Sequence, residues 1–119
     1  MSDDFTIKTG SDNDLLFYQF DPIVDLTGVT AVKFSMKKQQ ETAIKIDEAA
    51  AQVANGTYII DGVSTVLDPT DGVVFYPWTL ADLDTAGIYD GEFKVTFANG
   101  KHSVNPSYGR RKIIISDSI

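Results

Sequence analysis

Apolar and polar residues alternate along most of this chain with a period of two. The clearest run lies at residues 89–97. Tyr89, Phe93, Val95 and Phe97 fall on one side, and Asp90, Glu92, Lys94 and Thr96 on the other. Successive strand side chains point to opposite faces, so the run predicts a strand with one buried and one wetted face. Val32, Phe34 and Met36 against Lys33, Ser35 and Lys37 predict a second, and Phe5-Thr6-Ile7-Lys8 a short third. Leu15 to Phe20 differs, with Phe17 on one side and Tyr18 and Phe20 on the other. A strand buried on both faces, or lending one face to a partner, produces that pattern.

Turn chemistry separates these runs. Gly10-Ser11-Asp12-Asn13-Asp14, Asp21-Pro22, Asp25-Leu26-Thr27-Gly28, Asp61-Gly62 and Asp68-Pro69-Thr70-Asp71-Gly72 all carry turn-forming residues. Asn99-Gly100 predicts a type I′ hairpin, with a return arm from Lys101 to Val104 that breaks at Asn105-Pro106. The stretch Val73-Val74-Phe75-Tyr76-Pro77-Trp78 predicts a strand with Pro77 near its end or at an edge, because proline cannot donate to a ladder. Thr79 and Asp82 fit a capped helical turn. The segment 44–54 reads two ways. Asp47-Glu48-Ala49-Ala50-Ala51-Gln52 suits a short helix, yet Asn55-Gly56 signals a hairpin, and paired strands about it with residues 57–60 as the return arm are the preferred reading. Ile113-Ile114-Ile115 completes the set. Many short strands with turns between them predict an all-β fold of about seven to nine strands in one domain, residues 1–119.

One local motif narrows the architecture. Asp84-Thr85-Ala86-Gly87-Ile88-Tyr89 fits a tyrosine corner, in which a tyrosine hydroxyl bonds back to upstream backbone as the chain enters a strand. Such corners mark immunoglobulin-like antiparallel β-sandwiches. The shared parity of Tyr76 with Trp78, and of Tyr89 with Phe93 and Phe97, then marks core, with Gly87 at the corner, in preference to a carbohydrate platform.

Charge and composition trim the functional classes. A net charge of −7 argues against nucleic-acid and anionic-membrane binding, both of which need a basic footprint. The chain has no cysteine, so disulfides and thiolate metal sites are excluded. The acidic start Met1-Ser2-Asp3-Asp4 has no apolar stretch after it, so no signal peptide is visible. His102 is the sole histidine and no Gly-x-Ser-x-Gly elbow accompanies it, which leaves no triad. Asp12 with Asp14, Asp68 with Asp71 and Asp82 with Asp84 resemble calcium ligands in composition. An EF-hand after Asp12 fails, because Leu16 and Phe17 fall where oxygen ligands are needed, and turn formation accounts for all three clusters. No catalytic, cofactor or metal residues are expected.

Surface candidates remain. If Ile113 and Ile115 face inward, Ile114 points out, together with Phe75 and whichever of Phe17 and Tyr18 is not buried. Such apolar residues in a cluster mark a contact patch. Arg110-Arg111-Lys112 is the one basic cluster, read first as a solvated strand end and second as a docking point for an acidic neighbour.

The ordered set Gly72-Val73-Val74-Phe75-Tyr76-Pro77-Trp78, Asp82, Ala86-Gly87-Ile88-Tyr89 and Glu92-Phe93-Lys94-Val95-Thr96-Phe97-Ala98-Asn99-Gly100, then Pro106 and Ile113–Ile115, resembles the immunoglobulin-like amino-terminal domains of tailed-phage baseplate upper proteins. Val24-Asp25-Leu26-Thr27-Gly28-Val29-Thr30 and Lys33-Phe34-Ser35-Met36 resemble the opening strands of that family, and the likeness is weakest over residues 39–66. The resemblance implies a non-catalytic virion protein, made in the host cytoplasm. Its partners would be other phage structural proteins, in many symmetric copies, in the tail or baseplate. Family members often lead longer chains. The end at Ile119 leads us to expect a free-standing subunit here. Capsid decoration or head–tail joining is the alternative position, and a carbohydrate-binding, adhesin-like module the alternative class.

Overall fold

Strands β3 (Ala31–Lys38) and β8 (Gly87–Thr96) pair antiparallel along their length, from Ala31↔Thr96 to Lys38↔Tyr89. Their alternation sends Val32, Phe34 and Met36, with Tyr89, Phe93 and Val95, into the core. A computed structural model describes residues 5–11, 14–20, 23–60, 62–105 and 111–117. Around this central pair stand β1 (Phe5–Lys8), β2 (Leu15–Gln19), β4 (Ile44–Val53), β5 (Gly56–Ile60), β6 (Val63–Leu67), β7 (Val73–Pro77), β9 (His102–Asn105) and β10 (Arg111–Ser116). The main sheet runs β1-β10-β8-β3-β4-β7-β2, with β9 beside the far half of β8, and β5 and β6 form a separate hairpin. Among the described residues only the β1–β10 pairing is parallel; the others are antiparallel. The fold is therefore all-β, an immunoglobulin-like sandwich curled close to a barrel around one main core.

Strand β4 closes the two layers onto each other. It pairs with β3 through Ala49, Ala50 and Ala51, then with β7 through Gln52 and Val53. Between Phe34 and Met36 on β3, β4 advances from Ala49 to Ile46, one residue too many, so it bulges at Asp47 and Glu48. Glu48 takes φ 50, the left-handed region that non-glycine residues rarely occupy. The bulge reverses parity, so Ile46 and then Ala49, Ala51 and Val53 all face the core side. No single period describes residues 44–53, which explains why helix and strand readings competed there.

Two expected hairpins are built differently. β5 does not return against β4 about Asn55-Gly56. It pairs with β6, a strand the alternation did not announce, with Ile60 opposite Val63 across residues 61–62. At the end of β8, Phe97 N–H donates to Lys101 O (2.8 Å) and Gly100 N–H to Phe97 O (2.9 Å). The loop is thus three residues, 98–100, with Gly100 alone at positive φ (84°). Asn99 instead uses its side chain, accepting from Lys101 N–H at 3.0 Å. Asp12, Asn13, Asp21, Pro22, Asp61, Pro106 and Arg110 lie outside the described residues.

Aromatic rings fill the sandwich. Phe34 is the hub, with ring centroids at 4.7 Å from Tyr76, 4.9 Å from Phe93 and 5.9 Å from Trp78. Gly91 makes room for it: a Cβ there would meet Ile113 Cδ1 at 2.7 Å and Phe34 Cε1 at 2.9 Å. Tyr89 is 1% exposed and its hydroxyl donates to Thr85 O at 2.8 Å, the corner geometry. Phe97 is half-buried against the same core.

Two sets of variants test this packing. Tyr89→Phe removes one hydrogen bond and is expected to cost about 1 kcal/mol, whereas Phe93→Ala opens a cavity costing roughly 3–5 kcal/mol; denaturant titration measures both, and equal, negligible losses would contradict the assigned facing. For the bulge, Glu48→Val is expected to lose about 1–3 kcal/mol by forcing a β-branched residue into the left-handed region. Glu48→Gly, free of that strain, should match or exceed the parent in the same titration; a larger loss for glycine than for valine would refute the assignment.

Candidate interaction surfaces

The outer face of the β7–β2 layer is covered by the chain itself. Val73, Val74, Phe75 and Tyr76 are all buried, so β7 has no solvent face. Val74 and Tyr76 point into the main core, while Val73 and Phe75 join Ala54 in a second, smaller core. Its lid is the β5–β6 hairpin: Tyr58 lies 5.4 Å from Phe75 and 5.5 Å from Phe17, ring to ring, and Leu67 packs beside them. This corrects the expectation that Phe75 projects outward; it is 7% exposed because Tyr58 and Phe17 enclose it. Phe17 is half-buried under the same hairpin, and Tyr18 turns the other way, stacking on Phe93 at 5.8 Å. Neither is a free contact residue. The two-faced aromatic pattern of β2 thus reports two intramolecular cores.

What the hairpin presents instead is a different apolar set, two residues on its far side and Val63, opposite Ile60, on the same face as Tyr58. Ile59 is 67% exposed, Val63 62% and Val66 77%. Ile59 opposes Ser64 and Val66 opposes Thr57, which places both apolar residues on the face turned away from Tyr58 and Leu67. Sequence reasoning missed these three, because β6 itself was missed. The usable signal was present: Val63-Ser64-Thr65-Val66 is rich in β-branched residues and follows Asp61-Gly62.

A second, smaller apolar spot lies on the opposite layer. Ile113 and Ile115 are buried, leaving Ile114 half-buried on the outer side between Thr6 and the exposed Ile88. Of the basic cluster, Arg111 and Lys112 are among the described residues. Arg111 is half-buried, its Nε enclosed without a hydrogen-bond partner among the described residues, whereas Lys112 is exposed.

The remaining polar residues fasten turns. Asp68 and Asp71 cap the 3-10 turn Pro69–Asp71 reciprocally, Asp68 Oδ2 accepting from Thr70 N–H (3.1 Å) and Asp71 Oδ2 from Asp68 N–H (2.8 Å). Asp82 Oδ2 accepts from Thr79 N–H (3.0 Å), starting the 3-10 turn Leu80–Leu83, and from the Tyr76 hydroxyl (2.6 Å). Asp84 pairs with Lys45. Among the described residues no three His, Cys, Asp or Glu side chains converge as metal ligands. His102 is exposed, its Nδ1 3.0 Å from Thr96 Oγ1.

A groove of about 230 Å³ lies over the corner, lined by Lys38, Glu41, Ile44, Lys45, Thr85 and Tyr89. Its charged groups are already matched, Lys38 to Glu41 at 3.8 Å and Lys45 to Asp84. The hydrogen bond with Asp84 raises the Lys45 pKa, and the same bond lowers that of Asp84. Burial pushes the Tyr89 phenol up, so it stays protonated across the neutral range. Among the described residues the groove therefore offers no unmatched cation for an anion.

No protein-family model matches the sequence, and no curated protein matches it.

The carboxylates set the expected pH response. Asp84 is lowered by Lys45, Glu48 by its bond to Lys94, Asp68 by Thr70 and Asp25 by Thr27. A depressed carboxylate contributes stability that is complete above its unfolded value, 3.8 for Asp and 4.5 for Glu, and is lost as pH falls through the folded value. The raised Lys45 contributes fully below 10.5 and loses its contribution only above. The melting temperature should therefore be level across neutral pH and fall below the carboxylate range, and Asp84→Asn should shrink that acid step. An acid step of the same size in Asp84→Asn would show that the pair does not contribute.

Proposed function

We propose that this domain is a non-catalytic structural subunit of a tailed-phage particle, working through protein–protein contacts in the tail or baseplate. The observation that carries this reading is the ordered resemblance from Gly72 to Gly100, together with where those residues fall. Val73–Pro77 forms β7, Ala86 to Tyr89 forms the corner, and Glu92 to Thr96 is the second half of β8. The motif set is thus one continuous structural unit spanning both layers of the sandwich.

The surface chemistry supports the same reading. Tyr76 and Trp78 are each 4% exposed, so the aromatic residues that would build a sugar platform are consumed by the core. Three of the eight large apolar residues exposed among the described residues, Ile59, Val63 and Val66, belong to the β5–β6 hairpin, and a clustered apolar patch suits contact with other subunits. Subunits of symmetric particles gain from multivalency, so modest patches suffice.

The test is composition and placement. Particles purified from a producing host are expected to contain this chain at a fixed ratio to a tail or baseplate protein, by quantitative mass spectrometry, and particle imaging should place the sandwich there. Fixed ratio to the major capsid protein would move it to capsid decoration or head–tail joining. Its absence from particles, or saturable glycan binding by the isolated domain, would overturn the proposal.

A further inference from the structure

The chain carries two Asn-Gly pairs, Asn55-Gly56 and Asn99-Gly100. Such a pair is chemically reactive as well as turn-forming. Glycine has no side chain to shield its own nitrogen, and that nitrogen can attack the carboxamide carbon of the residue before it. The other asparagines are worse placed by sequence alone. Asn13 precedes Asp14, and Asn105 precedes Pro106, whose nitrogen has no proton to lose.

We infer that Asn99 is a site of spontaneous modification, cyclising with Gly100 and reopening chiefly as isoaspartate, and that the fold protects Asn55 from the same reaction. The Gly100 nitrogen loses its proton to base and forms a bond to Asn99 Cγ. The Cγ–Nδ2 bond breaks and ammonia leaves, giving a five-membered imide. Water then adds to either imide carbonyl. Cleavage at the former backbone carbonyl routes the chain through Cγ, as isoaspartate; cleavage at Cγ gives aspartate. No oxidant or reductant takes part.

Asn99 and Gly100 are both exposed at the tip of the β8–β9 hairpin. Asn99 Oδ1 already accepts from Lys101 N–H at 3.0 Å, a bond that spans the Gly100 peptide and so keeps Cγ beside the Gly100 nitrogen. The same donor sits where negative charge develops when Cγ is attacked. One bond opposes the reaction: Gly100 N–H donates to Phe97 O at 2.9 Å. It is internal to the loop, and the β8–β9 ladder, starting at Thr96↔His102, does not depend on it. Asn55 differs on both sides. Its N–H donates to the hydroxyl of Tyr58 (3.0 Å), whose ring packs on Phe75 and Phe17. Ala54 before it is fully buried, and Gly56 after it pairs with Leu67. Cyclisation there has to open the hairpin and the second core, so it draws on a far rarer fluctuation. Gly56 and Gly100 both stand clear of neighbouring atoms, so packing and pairing, not space, separate the two sites. The inference needs only the fold, and stands whether or not the domain belongs to a virion.

Peptide mapping by mass spectrometry of the folded, full-length protein, held in warm, mildly alkaline buffer, is the test. Asn99 is expected to gain the mass difference of acid over amide at least about tenfold faster than Asn55. Its product should be labelled by a protein isoaspartyl methyltransferase, and its rate should climb with pH. In urea the two rates should converge, since only the fold separates them. Asn99→Gln, whose longer side chain must close a six-membered ring, should remove most of the acid-shifted species seen on anion exchange. An Asn55 that converts as fast as Asn99 in the folded chain, or an Asn99 that stays intact while the unfolded chain converts at both sites, would overturn the inference.

Discussion

Everything in this sandwich turns on one strand having to serve two sheets. β4 begins against β3 and ends against β7, and it must keep its apolar side inward through the change. A regular strand with Ile46 inward would next bury Glu48, Ala50 and Gln52, two of them polar. The extra residue at the bulge resets the phase, so that Ala49, Ala51 and Val53 follow Ile46 to the core side. The cost is a glutamate held in the left-handed region at φ 50. Part of it is offset locally: Glu48 N–H donates to Ser35 Oγ at 3.0 Å, and its carboxylate meets Lys94 Nζ at 2.7 Å. That ion pair also answers a second problem, since Lys94 stands directly opposite Lys33, a like-charged cross-strand pair that would otherwise repel.

The same turn from one layer to the other decides what the outer surface becomes. After Val53 the chain passes Ala54, whose N–H donates to Val73 O at 2.8 Å, and leaves as the β5–β6 hairpin over Phe75 and Phe17. At the other end of the sandwich, residues 79–86 cross between the layers, tied down by two tyrosines. Tyr76 of β7 holds Asp82 and Tyr89 of β8 holds Thr85 O. Both rings lie inside while their hydroxyls reach the rim, so each buries a large apolar area and still satisfies its polar atom. Crossing segment and aromatic core are therefore one cooperative unit.

Where one buried face and one wetted face persisted along a strand, the sequence disclosed the structure. β3, β8 and β10 read correctly down to the facing of Phe34, Phe93 and Ile113, and the corner was legible from six residues. Legibility failed where tertiary context broke the period. The bulge scrambled β4, and a second core made Phe75 inward on a face that alternation assigns to solvent. Asn55-Gly56 and Asp61-Gly62 are equally good hairpin signals, and only long-range packing of Tyr58 on Phe75 decides which one folds back. The exposed residues of β6 were invisible for a related reason: each of its faces mixes apolar and polar residues, Ser64 with Val66 on one and Thr65 with Val63 and Leu67 on the other, so the strand does not alternate.

The distribution of charge follows from these placements and gives the domain two unlike sides. On the β8–β3 layer the outer positions hold Lys33, Lys37, Lys94, Asp90 and Glu92, interleaved and cross-linked by contacts such as Lys94 to Glu48 and Gln39 to Asp90 (3.0 Å). Such a face is well solvated and resists edge or face association. On the β7–β2 side the equivalent surface is taken up by the hairpin, which replaces charge with Ile59, Val63 and Val66. Burying Phe17 and Phe75 thus relocated the apolar surface one layer outward without abolishing it. Its persistence on the outermost strands, on the side away from the interleaved charges of β8 and β3, gives the domain one charged face and one that ends in apolar residues.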